Sequence, residues 1–323
     1  MMKTRRAALA QVAAAALLAA SLGAHAQSYP DKPITFVVPF AAGSATDQIA
    51  RAIGQAVTED TKQQVVVDNK PGANAFIGAQ AAARAPKDGY SVFITTNTTH
   101  AANEHLFKKL PYDPVKDFEP VTLLGKGGQI LVVNPDVPAK NVQEFVNLAK
   151  AQPGKVSFGF GSSSSRVAGE LFEQMTGADI QPVPYRSNPL GITDLLGGQI
   201  QAMFTDMATG LPQVKGGKLR ALGVTTSKRS PLAPDVPAIA ETVPGYESTY
   251  WFAAYVPAGT PAPVIARLNE ILVKAAKSQT AAKFYGPTGT ELVTSTPDEL
   301  RSFQAAESRK WKKIIEAAGI EKE

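Results

Sequence analysis

Two short loops in this sequence combine small residues, hydroxyls and a helix start, which are features that bind small anions. The first loop spans residues 40–47, between a predicted strand at 34–38 and a predicted helix at 47–57. The first N–H groups of a helix have no partner inside the helix and carry the positive end of its dipole, so an anion binds there without a lysine. The candidate contacts in this loop are Phe40, Ala41, Ala42, Gly43, Ser44 and Asp47.

The second loop, residues 159–166, lies between a predicted strand at 156–160 and a predicted helix at 166–175. It adds four serine hydroxyls and one arginine. Either loop alone is also compatible with a plain strand-to-helix connection, in which glycine and serine serve the backbone. Because the pattern occurs twice, it favours two cradles that hold one carboxylate from both sides, partly through ordered water. The candidate contacts here are Gly161, Ser162, Ser163, Ser164, Ser165 and Arg166.

Six further residues are candidates for ligand contact, and each also has an ordinary structural explanation. The polar stretch 95–99 follows a predicted strand, where ligands collect in open α/β sheets, and it is equally typical of a solvated turn. Two of the six lie at helix starts, where a polar side chain often only caps the backbone. One aromatic ring is more typical of the core, and one arginine is either a carboxylate clamp or an exposed charge. The six are Thr96, Asn97, Asn74, Asp206, Phe76 and Arg186.

Strands and helices alternate along most of the chain, which predicts mostly parallel sheets flanked by helices. Short apolar runs predict further strands at 64–67, 91–95, 199–204 and 219–225. A helix is predicted near 74–84. Two long amphipathic helices are predicted near the C-terminus, at 261–277 and 297–318.

Two segments are typical of places where a chain crosses between lobes: residues 125–128, three of which are glycine, and residues 250–256. The chain is also longer than one core usually organises. We therefore expect an α/β protein of two lobes joined by a hinge, each lobe a mostly parallel sheet flanked by helices. Lobe one would comprise residues 27–128 plus 252–323, and lobe two residues 129–251.

The N-terminus has the three parts of a secretory signal peptide. Three basic residues precede an alanine-rich apolar run at 7–22, and positions 24–26 (Ala-His-Ala) offer a cleavage pattern. We expect residues 1–26 to be removed by cleavage after Ala26, leaving a soluble protein in the periplasm; an uncleaved anchor is the alternative. The sequence has no cysteine, which excludes a lipid-modified N-terminal cysteine, disulfides and thiolate metal ligands.

Charge and histidine content argue against several functions. The formal charge is +5, but the leader holds three basic residues and no acid, so the mature balance of +2 gives no argument for nucleic acid. Beyond the leader only His100 and His105 occur, without the spacing of a helical zinc site. No Gly-x-Ser-x-Gly, phosphate-loop or dinucleotide motif is present. We expect no catalytic residue, metal or cofactor; a hydrolase using a serine of 162–165 with a lysine base is the alternative.

Motifs along nearly the whole chain resemble, in order, those of the substrate-binding receptors of tripartite tricarboxylate transporters, the Bug family. The first six are Tyr29-Pro30-x-Lys32-Pro33-Ile34, Val38-Pro39-Phe40-x-Ala42-Gly43, Asp47-x-x-Ala50-Arg51, Asn69-Lys70-Pro71-Gly72-Ala73, Asp88-Gly89-Tyr90 and Tyr112-Asp113-Pro114. The remaining four are Leu195-Leu196-Gly197-Gly198-Gln199, Gly217-Lys218-Leu219-Arg220-Ala221-Leu222, Pro234-Asp235-Val236-Pro237 and Pro244-Gly245-Tyr246-Glu247.

The resemblance implies a Venus-flytrap periplasmic binding protein, type II-like, whose loops at 40–47 and 159–166 pinch a ligand carboxylate. It implies a small di- or tricarboxylate, aliphatic or aromatic, which the receptor passes to a membrane permease of the tripartite type or to a sensor. Independently of the resemblance, we expect a monomer. A neutral amide or vitamin-like ligand is the alternative. The sequence departs from the family pattern at Ser44 (usually a second glycine), at Arg166 (often histidine) and at Phe76, which interrupts a small polar stretch. Arg166 is expected to add a charge for a second carboxylate.

Overall fold

The computed structural model describes residues 29–323, so the predicted signal peptide lies outside the described residues. Within that range the strands are β1 (Ile34–Val38), β2 (Val65–Asn69), β3 (Ser91–Thr96), β4 (Phe118–Val133), β5 (Val156–Phe160), β6 (Ile180–Pro184), β7 (Ala202–Asp206), β8 (Arg220–Val224) and β9 (Thr249–Pro257). The α-helices are α1 (Ala45–Thr61), α2 (Phe76–Ala83), α3 (Asn103–Leu106), α4 (Val142–Ala151), α5 (Ser163–Thr176), α6 (Asn188–Leu196), α7 (Met207–Lys215), α8 (Ala262–Ala276), α9 (Gln279–Thr288) and α10 (Pro297–Ala317).

The strands form two mixed sheets that share the long strand β4. In the first sheet β2, β1 and β3 are parallel, and β9 and residues 118–128 of β4 extend it antiparallel. In the second sheet β6, β5 and β7 are parallel, and residues 129–133 of β4 and strand β8 extend it antiparallel. The predicted two-lobed α/β fold is confirmed. Each lobe has a parallel core, and antiparallel strands make its sheet mixed.

Strand β4 runs straight through the glycine-rich segment 125–128, which sequence analysis did not recognise as a strand. Glycine weakens an isolated strand and often marks the close approach of another group. A Cβ atom on Gly128 would lie 2.4 Å from the side chain of Thr226, and one on Gly127 would lie 2.7 Å from the Tyr250 ring. The glycines are therefore required by contacts that form only after the chain folds.

Helices α1 and α10 follow from local sequence. Helix α1 buries Ile49, Ile53 and Val57 completely, at the spacing of one helical face. Helix α10 begins with a capping box: the Thr296 hydroxyl accepts a hydrogen bond from the Glu299 N–H (3.2 Å), and the Glu299 carboxylate accepts one from the Thr296 N–H (2.8 Å). The predicted C-terminal helix is thus confirmed, and it begins at Pro297 as predicted.

The two lobes also touch outside β4 and β9. Trp311 and Ile315 of α10 are buried in the core of the first lobe, and Ile314 packs against the cores of both lobes. Val167 of α5, in the second lobe, is fully buried in the same first-lobe cluster. Among residues 29–323, no helix has the length and apolar character needed to span a membrane.

Candidate ligand-binding site

A cavity lies between the two lobes, at the carboxyl ends of strands β1, β3, β5 and β7. The cavity is narrow, with a volume of about 40 Å³ for the centres of water-sized molecules. The position is the one at which open α/β sheets bind ligands. Its lining comes from both lobes: Phe40, Ser44, Ala45, Thr46, Thr96, Gln129, Gly161, Ser162, Ser164, Asn188, Asp206, Tyr250 and Phe252.

The first cradle is the start of helix α1. The Ser44 hydroxyl caps the helix by accepting a hydrogen bond from the Asp47 N–H at 3.2 Å. The buried Asp47 carboxylate accepts a hydrogen bond from the Gly43 N–H at 2.9 Å and pairs with Arg51, so it stabilises the loop and does not line the cavity. The N–H groups of the first two helical residues, Ala45 and Thr46, have no partner within the helix.

The second cradle is the start of helix α5 and repeats this arrangement in the other lobe. The Ser162 hydroxyl caps the helix by accepting a hydrogen bond from the Ser165 N–H at 3.2 Å. Ser163 and Ser164 take the first two helical positions, whose N–H groups lack intrahelical partners. A Cβ atom on Gly161 would lie 2.1 Å from the backbone nitrogen of Asn188, so only glycine fits there. Two helix starts, one from each lobe, therefore converge on one cavity.

A hydrogen bond between the lobes adjoins the second cradle. The Ser163 hydroxyl donates to the Asn103 side-chain oxygen at 2.6 Å, and both residues are buried. The Asn103 amide nitrogen in turn donates to the backbone oxygen of Asn74 at 2.9 Å. Ser163 therefore contributes a contact between lobes rather than a side chain to the cavity lining.

Asn188 connects the second cradle to the floor of the cavity, which we define as Gln129, Asp206 and Tyr250. Its side-chain oxygen accepts a hydrogen bond from the Gly161 N–H at 3.0 Å, and its nitrogen donates to the Asp206 carboxylate at 2.8 Å. The other Asp206 oxygen caps helix α7 by accepting a hydrogen bond from the Thr209 N–H at 2.8 Å. Asp206 thus caps a helix, as one interpretation held, and also lines the cavity.

Two polar atoms of the floor are buried without a hydrogen-bond partner among the described residues. Gln129 donates through its amide nitrogen to the Ser165 hydroxyl at 3.0 Å, while its amide oxygen has no partner. The Tyr250 hydroxyl has none of good hydrogen-bond geometry, although the Thr290 side chain lies near it. Burial, with a smaller contribution from the nearby Asp206 carboxylate, raises the pKa of Tyr250 well above its ordinary value, so the phenol stays protonated.

Seven sequence-predicted residues line the cavity: Phe40, Ser44, Thr96, Gly161, Ser162, Ser164 and Asp206. Gly43, Asp47, Ser163 and Ser165 instead hold the cradles in shape through the hydrogen bonds above. Ala41 is half-buried and Ala42 exposed, and neither lines the cavity. The part of this loop that lines the cavity is Phe40, Ser44 and the first two residues of helix α1, Ala45 and Thr46.

Three weaker candidates lie away from the cavity lining. Asn74 is exposed, has a left-handed backbone (φ 52°) and makes no side-chain cap to α2. Phe76 packs edge-to-face on Phe107 and Tyr112, at centroid distances of 5.0 and 6.0 Å, which is core packing. Arg186 is exposed on the surface.

The polar stretch after β3 is buried rather than solvated. Thr95, Asn97 and Thr99 are fully inaccessible, and residues Thr98–Ala102 form one turn of π-helix. Thr96 reaches the cavity, whereas the Asn97 amide is buried beside it, and neither of its two polar atoms has a partner within residues 29–323. His100 follows and stacks on Tyr255 at a centroid distance of 3.8 Å, so it has a packing role.

Arg166 points away from the cavity. Its guanidinium binds Glu170 and Glu323, each at 2.6 Å, and it is absent from the lining. The predicted charge for a second ligand carboxylate is therefore not placed there in this structure. Glu323 is 157 positions further along the chain, so no local pattern revealed this pairing.

Six lining residues were not among the sequence candidates: Ala45, Thr46, Gln129, Asn188, Tyr250 and Phe252. The first two lie inside the predicted first loop and act through the backbone. Gln129 carried one weak signal, as a polar residue opening an otherwise buried apolar run. Asn188 and Tyr250 carried none, because their neighbours in the cavity are distant in sequence.

Together the fold and the site define a two-lobed periplasmic binding protein. A model of the family described as tripartite tricarboxylate transporter family receptor matches residues 49–320, and the chain belongs to that family. Protein BugT of Bordetella pertussis is 33% identical over 298 residues, 91% of each chain. The structure of R. palustris Rpa4515 with adipate has a TM-score of 0.87 and 32% identity, covering 90% of this chain and 99% of that one. MatC from Rhodopseudomonas palustris with bound malate has a TM-score of 0.84 and 28% identity, covering 89% and 100%.

Proposed function

We propose that this periplasmic solute receptor closes its two lobes on a small organic carboxylate. One observation carries the proposal: the starts of helices α1 and α5, one from each lobe, line the same cavity. Each start offers two N–H groups without intrahelical partners and a positive dipole end. A carboxylate between them receives hydrogen bonds from both lobes only when the cleft is shut, so ligand binding favours closure.

The donors in the cavity are neutral, which suits a receptor that must also release its ligand. Among the lining residues there is no lysine, arginine or histidine. Backbone N–H groups and the hydroxyls of Ser44, Ser162 and Ser164 would hold the carboxylate, partly through ordered water. The structural relatives with bound adipate and malate support a carboxylate as the ligand class.

The strands that connect the two sheets indicate where a hinge would lie. Residues 27–128 plus 252–323 would form one moving lobe and residues 129–251 the other, with β4 and β9 as the connecting strands. The hydrogen bond between Ser163 and Asn103 would form on closure. A hinge motion of this kind would place its backbone rotations in the few residues where the strands pass between the lobes.

The receptor would act as a monomer after cleavage following Ala26, and would pass its ligand to a membrane permease of the tripartite type or to a sensor. No catalytic step is proposed. The serine hydroxyls of the second cradle contact Asn103, Gln129, Asn188 and one another, and none contacts a basic side chain in the part of the chain described. A serine nucleophile would need such a base.

A thermal-shift screen of residues 27–323 tests the proposal. The panel contains aliphatic and aromatic mono-, di- and tricarboxylates, amino acids, neutral amides and vitamins. A ligand present at 100 times its Kd adds about 2.7 kcal/mol of stability, a shift of several degrees. Stabilisation by a carboxylate-containing series supports the proposal. Stabilisation by neutral compounds alone, with every carboxylate inactive, would refute it.

A further inference from the structure

The floor of the cavity offers hydrogen-bond acceptors where the two cradles offer donors. Asp206 is 6% exposed and places its carboxylate in the lining. Among the described residues it forms no salt bridge, and no basic side chain lines the cavity. The α7 cap uses one of its oxygens, and the other accepts only the Asn188 amide. A carboxylate accepts about four hydrogen bonds, so the Asp206 oxygen facing Asn188 retains capacity for a further donor.

Two further acceptors stand beside Asp206. In the β4–β7 pairing Gln129 lies directly opposite Asp206, so their side chains are neighbours on one face. Tyr250 pairs with Gly127, two residues before Gln129 on β4, and its hydroxyl lies 2.7 Å from where a Cβ of Gly127 would be. Residues two positions apart on a strand point to the same face of the sheet. The side chains of Asp206, Gln129 and Tyr250 therefore lie together on one face of β4.

In the described part of the chain, the Gln129 amide oxygen and the Tyr250 hydroxyl are buried in this lining without a partner of good hydrogen-bond geometry. A buried polar atom without a partner costs free energy, so such atoms at a binding site point to a group supplied by the ligand. Three acceptors in one place match the three N–H donors of an ammonium group, whereas a hydroxyl supplies only one donor. A second ligand carboxylate would face the Asp206 charge with no cation beside it.

We propose that the ligand is a short amino acid, whose carboxylate binds the two cradles and whose ammonium group binds Asp206, Gln129 and Tyr250. This inference rests on the proposed function, because it presupposes a carboxylate at the helix starts. Asn188 bridges the Gly161 N–H and the Asp206 carboxylate with hydrogen bonds of 3.0 and 2.8 Å, so one side chain separates the second cradle from Asp206. That separation suits a ligand with only a few carbons between its charged groups.

Calorimetry with matched ligands tests the inference. The series comprises unbranched carboxylates of two to six carbons that carry hydrogen, hydroxyl or ammonium at the α or terminal carbon. N-trimethylated analogues keep the positive charge but have no N–H, and succinate, malate and adipate represent dicarboxylates. We expect the best ammonium ligand to bind at least tenfold more tightly than its hydrogen, hydroxyl and trimethylated analogues and than every dicarboxylate.

Two variants locate the ammonium contact. Asp206→Asn keeps a capping side chain for α7. It should reduce the ratio of affinities for the ammonium ligand and its hydrogen analogue at least tenfold. Tyr250→Phe keeps the buried ring and removes a hydroxyl that has no partner of good hydrogen-bond geometry among the described residues, although Thr290 lies near it. It should fold normally and weaken only the ammonium ligands, by about three- to tenfold.

The outcomes separate this inference from the proposed function. Carboxylates that bind without regard to the ammonium group, or tightest binding by a dicarboxylate, overturn the inference and leave the carboxylate receptor intact. An ammonium preference that survives in both variants also overturns it. If no carboxylate of any kind binds, the proposed function fails and the inference fails with it.

Discussion

Replacing Ala45 by proline removes one N–H donor of the first cradle and leaves the Ser44 side-chain cap in place. Proline is well tolerated at the first position of a helix, where its nitrogen has no intrahelical partner to lose. The preceding residue, Ser44, has φ −66° and ψ 159°, a conformation that is favourable before proline. The helix should therefore form as before, so a change in affinity would report on the cavity.

The expected loss follows from the type of bond. A hydrogen bond from a backbone N–H to a charged group contributes about 1.5–3 kcal/mol, which is about a 10- to 150-fold change in Kd. We expect Ala45→Pro to weaken binding of the best carboxylate in the screen by that amount. Titration calorimetry measures the change in Kd, and circular dichroism checks that helix content and Tm without ligand are preserved.

Two controls isolate the missing N–H. Gln279→Pro makes the same change at the first position of helix α9, where the preceding Ser278 has the same ψ of 159° but lies away from the cavity. It should leave Kd unchanged. Ala45→Gly keeps the N–H and should change Kd less than threefold. If Ala45→Pro binds as tightly as the wild type, the start of α1 does not hold the carboxylate and the cradle assignment is wrong.

Three further predictions concern closure, charge and pH. Ser163→Ala removes the hydrogen bond to Asn103 between the lobes and should raise Kd about two- to tenfold in calorimetry. Arg166→Ala removes the ion pairs with Glu170 and Glu323, both outside the cavity lining, so Kd should rise less than tenfold, equally for mono- and dicarboxylates, and less at high salt. Burial lowers the pKa of His100 to about 3, so the unfolded state binds a proton that the folded state does not, and the unfolding free energy should fall by up to about 5 kcal/mol between pH 6.5 and 3. His100→Phe keeps a stacked ring without titrating, and denaturant unfolding at several pH values should show a correspondingly smaller loss.

Each of these has a result that contradicts it. An unchanged Kd for Ser163→Ala would show that the hydrogen bond to Asn103 does not contribute to the ligand-bound state. A loss confined to dicarboxylates in Arg166→Ala would return that guanidinium to the ligand site. Equal pH dependence of the unfolding free energy in His100→Phe and wild type would mean that another group titrates in that window.

Local sequence was sufficient for the elements that surround the site. Strands β1 and β5 begin and end where their apolar runs predicted, and both cradles lie between a strand and a helix start as expected. Patterns of this kind depend on neighbours a few residues apart, because helix periodicity, capping and strand alternation are short-range. The two-lobed α/β organisation follows from the order of such elements along the chain.

The tertiary structure decided what the cavity presents to a ligand. Asp206 and Gln129 meet through the register of two strands far apart in sequence, and Tyr250 joins them through a third strand. Arg166 was expected in the cleft because it is the last residue of the second loop, yet Glu323 at the far end of the chain binds it outside the cavity. Packing between segments that are distant in sequence decides which face of a helix or strand is covered. The spacing of residues along the chain does not reveal this packing. The sequence by itself therefore determined where the donors lie, and only the folded chain determined which acceptors stand opposite them.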